Sequence, residues 1–383
     1  MTRVNRSEAL IDLQAIESNV KKIIKSSGKP ALAVVKADAY GHGLIPVAKS
    51  ALNAGASWLG TALLEEAIAL RDAGIQAPII AWLTPIHDDF ESAIAKRIDI
   101  AIPSIDHLSA LVKAAERAGQ TPRIHLEVDT GMSRGGALSE WRALLHATSD
   151  LVKAKKVRVV GIWSHFARAD EPNHPFNDQQ LGNFEARVEE AEGFGIHSEL
   201  LHLSNSAASL KNSRAHFDLI RLGIAMYGLS PDISTMGSSE DLGLIPAMRL
   251  RAQIHLVKEV PAGSSVGYGG TATTSQATKL GVIAMGYADG IPRNANSQAG
   301  VLVGNKMSPI IGRVSMDQFV VDLGIDSNAK NGDWAYLIGN ESVTLIGNKK
   351  AGGYTADSWA KASGTINYEI VTRIGPRVPR IYN

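Results

Sequence analysis

The 383-residue chain contains no cysteine, which excludes disulfides, thiolate catalysis and cysteine-based zinc sites. It also lacks a charge excess: 39 Lys plus Arg stand against 38 Asp plus Glu, so there is no electrostatic case for nucleic acid or an anionic membrane surface as a partner. No apolar run approaches the ~20 residues of a membrane span, and the segment MTRVNRSEALIDL has no apolar h-region, so the expected location is cytoplasmic. Eleven histidines are present, but no HExxH or comparable ligand pair, and no metal site is expected. Neither repeats nor low-complexity tracts occur. What remains has the composition of a soluble globular protein, long enough for about two domains.

The first half alternates short β-branched runs with stretches of helical periodicity, the βαβ signature of a parallel sheet. The strand candidates are ALAVVK (31–36), WLGTA (58–62), PIIAWL (78–83), DIAIPS (99–104), RIHLEVD (123–129), VRVVGIWSH (157–165), ELLHLSNS (199–206) and FDLIRLGIAMYG (217–228). Eight strands with intervening helices predict an α/β architecture, an N-terminal (β/α)8 TIM-like barrel over 1–230. Residues 231–245, rich in Ser, Gly, Pro and Asp, read as a linker. Beyond it, alternating runs broken at Gly, Asn and Asp predict a mainly antiparallel β domain over 246–383, with helix only at Tyr354–Ser363.

Within the segment ALAVVKADAYGHG, Lys36 ends a buried-looking strand. A desolvated lysine amine loses its proton readily enough to form a Schiff base, although a lysine at a strand end commonly just reaches into solvent. The strand C-terminal ends of a barrel converge on one rim, which gathers Lys36, Glu127, Asp129, His165, Ser204 to Ser206 and Arg221. Singly, His165 reads more readily as a hydrogen-bonded structural histidine, and Arg221 equally as half of an ion pair. The loop Ser204-Asn205-Ser206, with Gly223 and Ile224, offers N–H groups and hydroxyls to an anion such as phosphate. A lysine, a phosphate cradle and an arginine on one rim together suggest a phosphorylated aldehyde cofactor held as an imine.

The blocks AVVKADAYGHG, VDTGMSRGG, GIWSHFARAD, HLSNSAA, IRLGIAMYG, VGYGGT, MGYADGIPR, GRVSMDQ and RVPRIY, in that order and through both halves, resemble the signature blocks of the alanine racemase family. The resemblance implies a pyridoxal 5'-phosphate enzyme of fold-type III, acting as a head-to-tail homodimer that interconverts L-alanine and D-alanine and supplies D-alanine for peptidoglycan. It implies Lys36 as the imine lysine, with the cofactor held by Tyr40, His165, Asn205, Ser206, the N–H groups of Gly223 and Ile224, and Tyr368, and with Arg221 facing the pyridine nitrogen. A guanidinium does not give up its proton near neutral pH, so the ring nitrogen would stay unprotonated and the electron sink weak.

Racemisation needs an acid/base group on each face of the substrate. The resemblance implies Lys36 for one face and Tyr268, reaching across the dimer interface from the other subunit, for the opposite face. A tyrosine needs hydrogen bonds or positive charge to act as a base at neutral pH, and His165 and Arg221 are the candidate helpers. Arg134 and the Met316 N–H are implied to bind substrate, and Tyr287, Arg293, Arg313 and Asp317 to line the entrance. Many family members carry a carbamylated lysine where this chain has Glu127. A carboxylate there is expected to hold Arg134 by a charge-assisted hydrogen bond. Ala272 and Ser315 also depart from the family pattern, without removing a group the chemistry needs. Three rivals stay open: a broad amino-acid racemase acting on serine, a non-catalytic PLP carrier, and an aldolase-type barrel.

Overall fold

The computed structural model describes residues 5–339 and 352–383. Its first strand, β1 (Ser7–Ile11), is followed by eight short parallel strands: β2 (Ala31–Val34), β3 (Trp58–Thr61), β4 (Ile79–Ala81), β5 (Asp99–Ile102), β6 (Arg123–Glu127), β7 (Arg158–Trp163), β8 (Leu200–His202) and β9 (Ile220–Leu222). They pair in the order β8-β7-β6-β5-β4-β3-β2-β9. The remaining gap is bridged by hydrogen bonds from Asp218 N–H to the Leu201 carbonyl and from Arg221 N–H to the Ser204 carbonyl, each 3.1 Å. The result is a nearly closed (β/α)8 barrel, as the alternation of strand and helix signals predicts. Strands β2 to β5 are buried along their whole length, which is why they read as continuous apolar runs rather than as alternation.

Helices end where local chemistry dictates. Ile105–Ala118 starts at Ser104, whose hydroxyl accepts the His107 N–H, and stops at Gly119 in the left-handed conformation. Its buried face is Leu108, Leu111, Ala114 and Ala115. Two expected strands are shorter than their apolar runs. The run 199–206 yields only β8, because Asn205 caps the helix Ser206–Lys211. The run 217–228 yields only β9, because Ser206 Oγ takes the N–H groups of Gly223 and Ala225, and a 3-10 turn follows at Ile224–Tyr227.

The second compact unit comprises Met1–Leu13, Tyr40–Gly43 and Pro246–Asn383, while Gln14–Ala39 and Leu44–Ile245 form the barrel unit. Its spine is β10 (Met248–Val260), antiparallel to β1, to Thr278–Ile283 and to Trp334–Ile338. Strand β1, which the sequence pattern leaves with the barrel half, also pairs in parallel with Arg380–Tyr382. The segment expected to be helical forms Ala356–Ser363, capped by the Thr355 side chain, and a second helix that the sequence reading does not expect follows at Asn367–Thr372.

Candidate active site

Lys36 lies immediately beyond β2, half-buried. It opens the short helical turn Lys36–Gly41, which is tied to the loop after β3 by Glu66, whose Oε1 accepts the Ala37 N–H at 2.6 Å and whose Oε2 accepts the Ala62 and Leu63 N–H groups at 3.1 Å. Ala37, Asp38, Ala39 and Tyr40 all have φ of 53°, so four successive L-residues occupy the left-handed region at a cost of about 1–2 kcal/mol each. Strain of this kind persists only where surrounding contacts enforce it, and it concentrates at functional sites. Burial, and next the charge of Arg134, lower the Lys36 pKa, while Glu66 opposes the shift.

The loop after β6 is folded around one carboxylate. Asp129 Oδ1 accepts the N–H groups of Gly131, Met132 and Ser133 at 2.8, 2.9 and 3.2 Å. Gly136, at φ +97°, closes the loop against the backbone, where an added Cβ would come 2.7 Å from Asp129 N. This loop carries Arg134, which is exposed. Glu127 lies beneath it; burial pushes its carboxyl up to about 7, against the opposing charges of Arg134 and then Arg221. The expected Glu127–Arg134 hydrogen bond is not made among the described residues. Arg134 acts on Glu127 through charge at a distance, because the loop's polar contacts are organised by Asp129 instead.

Arg221, on β9, is buried. Its guanidinium donates to the carbonyls of His202 (2.9 Å), Ser164 (2.9 Å) and Leu203 (3.2 Å) and to His165 Nδ1 (3.2 Å), with its carbon 5.0 Å from the Trp163 ring centroid. Burial lowers its pKa to about 9, which still leaves a cation at neutral pH. Burial, then the charges of Arg221, Arg134 and Lys36, hold His165 well below the ordinary histidine range. Ser206 Oγ accepts from Gly223 N–H at 2.9 Å and Ala225 N–H at 3.3 Å, which keeps its own proton available to a further acceptor. Asn205 Oδ1 accepts the Ala208 N–H at 3.1 Å, capping the following helix. Gly223 and Ile224 are buried beside Arg221 in sequence.

The remaining predicted residues belong to the β unit. Tyr40 is buried, which raises its pKa, and its ring lies 6.3 Å from that of Tyr368. The Tyr287 and Met316 loops are knitted together by hydrogen bonds from Tyr287 N–H to the Ser315 carbonyl (3.0 Å) and from Ala288 N–H to the Met316 carbonyl (2.9 Å). Asp317 pairs with Arg377 at 2.6 Å, and Arg377 also reaches the fully buried Asp289 at 3.0 Å. Arg293 and Arg313 are exposed. Tyr268 is 71% exposed and Met316 53%, and the Tyr268 hydroxyl makes no hydrogen bond among the described residues. Among those residues there is no cluster of three or more metal-ligating side chains and no helix long and apolar enough to cross a membrane.

Four polar groups escape the sequence reading: Glu66, which ties down the turn that starts at Lys36, and Asp99, His125 and His202 inside the barrel. The only signal of the last three is polarity at interior strand positions of DIAI, RIHLE and LLH, while Glu66 shows only as an acidic residue in the first turn of the helix Leu64–Asp72.

A barrel with a lysine, an arginine and an anion-ready hydroxyl at the C-terminal ends of its strands, continued into an antiparallel β unit, is that of a two-domain enzyme working at its barrel rim. The family model described as the N-terminal domain of alanine racemase matches residues 11–231, and that of the C-terminal domain matches 247–382. The chain is 46% identical to the alanine racemase of Frankia casuarinae, covering 98% of this chain and 96% of the relative. It is 47% identical to that of Salinispora tropica, covering 99% and 98%. The crystal structure of alanine racemase from D-cycloserine-producing Streptomyces lavendulae superposes with a TM-score of 0.95 at 45% identity, covering 100% of this chain and 98% of that one. The chain belongs to the alanine racemase family.

Proposed function

We propose that this protein interconverts L-alanine and D-alanine on pyridoxal 5'-phosphate held at the barrel rim, as a cytoplasmic homodimer whose product serves peptidoglycan synthesis. The observation that carries the reading is the convergence on one barrel unit of a pKa-lowered Lys36 and a buried Arg221 whose terminal nitrogens are held by backbone carbonyls. The donor set fits the cofactor: Lys36 as the covalent anchor, Ser206 Oγ with a proton to give, Gly223 and Ile224 backbone for the phosphate, and Arg221 for the ring nitrogen. Tyr40 and Tyr368 would complete the phosphate site. When bound, the cofactor supplies an electron sink that acidifies the substrate Cα–H.

The protein's own groups do the proton work. Lys36 Nζ, its ammonium disfavoured by burial, takes or returns the Cα proton on one face. Tyr268 of the partner subunit serves the other face, and the 71% exposure of this tyrosine supports a role outside its own fold. Arg134 and the Met316 N–H orient the carboxylate, while Tyr287, Arg293, Arg313 and Asp317 shape the entrance.

The test is incubation of the purified protein with pyridoxal phosphate and L-alanine, with L-serine in parallel, followed by chiral separation. D-alanine forming much faster than D-serine supports the reading. Comparable serine turnover points to a broad racemase, and no turnover with cofactor bound points to a carrier.

A further inference from the structure

Beneath Arg221 a chain of polar groups runs through the otherwise apolar barrel. Arg221 Nη1 lies 3.3 Å from His202 Nδ1, His202 Nε2 lies 2.9 Å from His125 Nδ1, and His125 Nε2 lies 3.2 Å from Asp99 Oδ2. Arg123 closes the far end with two bonds to the Asp99 carboxylate, at 2.8 and 3.1 Å. Asp99, His125, His202 and Arg221 are all buried.

The charged ends fix every proton between them. A guanidinium can only donate, so His202 Nδ1 must be the acceptor and its hydrogen must sit on Nε2. That hydrogen points at His125 Nδ1, which must accept, leaving the His125 hydrogen on Nε2, directed at Asp99. Both rings are therefore neutral and of one tautomer. For His202, burial, the neighbouring His125 and Arg221 press in the same direction. The surroundings are built to match. Trp163 stacks on His202 with planes 2° apart, and Trp58 meets His125 edge-on at 5.4 Å. A Cβ at position 161 would overlap His125 Nδ1, which explains a glycine inside β7.

We infer that Asp99 and His125 are positioning residues for Arg221, acting through His202 to keep its Nδ1 lone pair turned on the guanidinium. The inference rests on the reading that Arg221 serves the reaction. Reversal of the relay would aim an N–H at a buried cation, and loss of its middle member would free His202 to change tautomer.

The test uses the holoenzyme labelled with 15N-histidine. His125 and His202 are expected to be neutral and Nε2-protonated at pH 7. An Nδ1-protonated or doubly protonated His202 overturns the inference, whether or not any variant folds. His125→Gln and His125→Met both remove the ring, but only glutamine offers an acceptor to His202 together with a donor to Asp99. His125→Met is expected to lower kcat about tenfold, on the scale of one lost hydrogen bond to a charged group, with KM for L-alanine within about twofold and the His202 tautomer no longer single. His125→Gln restores most of kcat and the tautomer. Equal losses in the two variants, with equal thermal midpoints, overturn the inference. A wild-type protein that does not racemise alanine overturns the functional reading instead, and leaves the tautomers measurable.

Discussion

Arg221 Nη2 donates to His165 Nδ1 at 3.2 Å, so His165 presents a lone pair to the guanidinium and carries its hydrogen on Nε2. The two residues thus act as one unit, a fixed cation and a neutral imidazole oriented by it. Arg221→Gln leaves the carbonyls of Ser164, Leu203 and His202 short of donors. It is expected to destabilise the chain by about 2 kcal/mol or more in urea unfolding. kcat should fall by at least about tenfold, because the charge and the His165 orientation disappear together. Retention of wild-type kcat by a folded variant would remove Arg221 from the chemistry.

Glu127 supplies a pH-dependent test with a definite sign. Burial raises its pKa from 4.5 to about 7, so between those values the native chain holds a proton that the unfolded chain releases. The stability linked to this group is complete below pH 4.5, is lost as pH rises through about 7, and is constant above. Glu127→Gln abolishes that loss. Its stability relative to wild type should climb between about pH 5 and pH 7 and then level off, by up to about 3 kcal/mol. A difference that does not vary with pH would contradict the buried carboxyl. The same variant should raise KM for L-alanine several-fold, since Arg134 loses its facing charge.

Asp129 holds the Arg134 loop through three backbone N–H groups. Asp129→Ala should therefore raise KM for L-alanine more than it lowers kcat, while costing about 1–3 kcal/mol of stability from the unpaired donors. A pure kcat effect would place this carboxylate in the proton chemistry rather than in loop order.

Lys36→Ala and Tyr268→Phe should each be nearly inactive. Mixed and allowed to exchange subunits, they should recover up to about a quarter of wild-type activity, because half the dimers are hybrid and each hybrid has one intact site. No recovery, despite mass-spectrometric detection of hybrids, would mean that both groups act from one chain.

The barrel was legible because its strands are contiguous β-branched runs and its helices carry caps such as Ser104 and Gly119. Strand ends were less so: Asn205 and Ser206 divert backbone donors from the sheet at β8 and β9, a decision made by side chains rather than by hydrophobicity. Strand β1 is not legible in the sequence because its five residues pair with β10 and with Arg380–Tyr382, both far along the chain. Lys36, Arg221 and Ser206 stand out at strand and loop ends. The Asp99–His125–His202 chain does not, since its partners lie more than 20 residues away in other strands, and Glu66 shows locally only its capping bonds to Ala62 and Leu63, not its distant bond to Ala37.

The most direct test of the two-base account follows deuterium at Cα during the first turnovers of L-alanine in D2O with the holoenzyme. Two groups on opposite faces predict D-alanine carrying deuterium at Cα while the remaining L-alanine keeps its hydrogen. D-alanine that retains the original hydrogen, or deuterium entering L-alanine as fast as product forms, would contradict Lys36 and Tyr268 as separate acid/base groups.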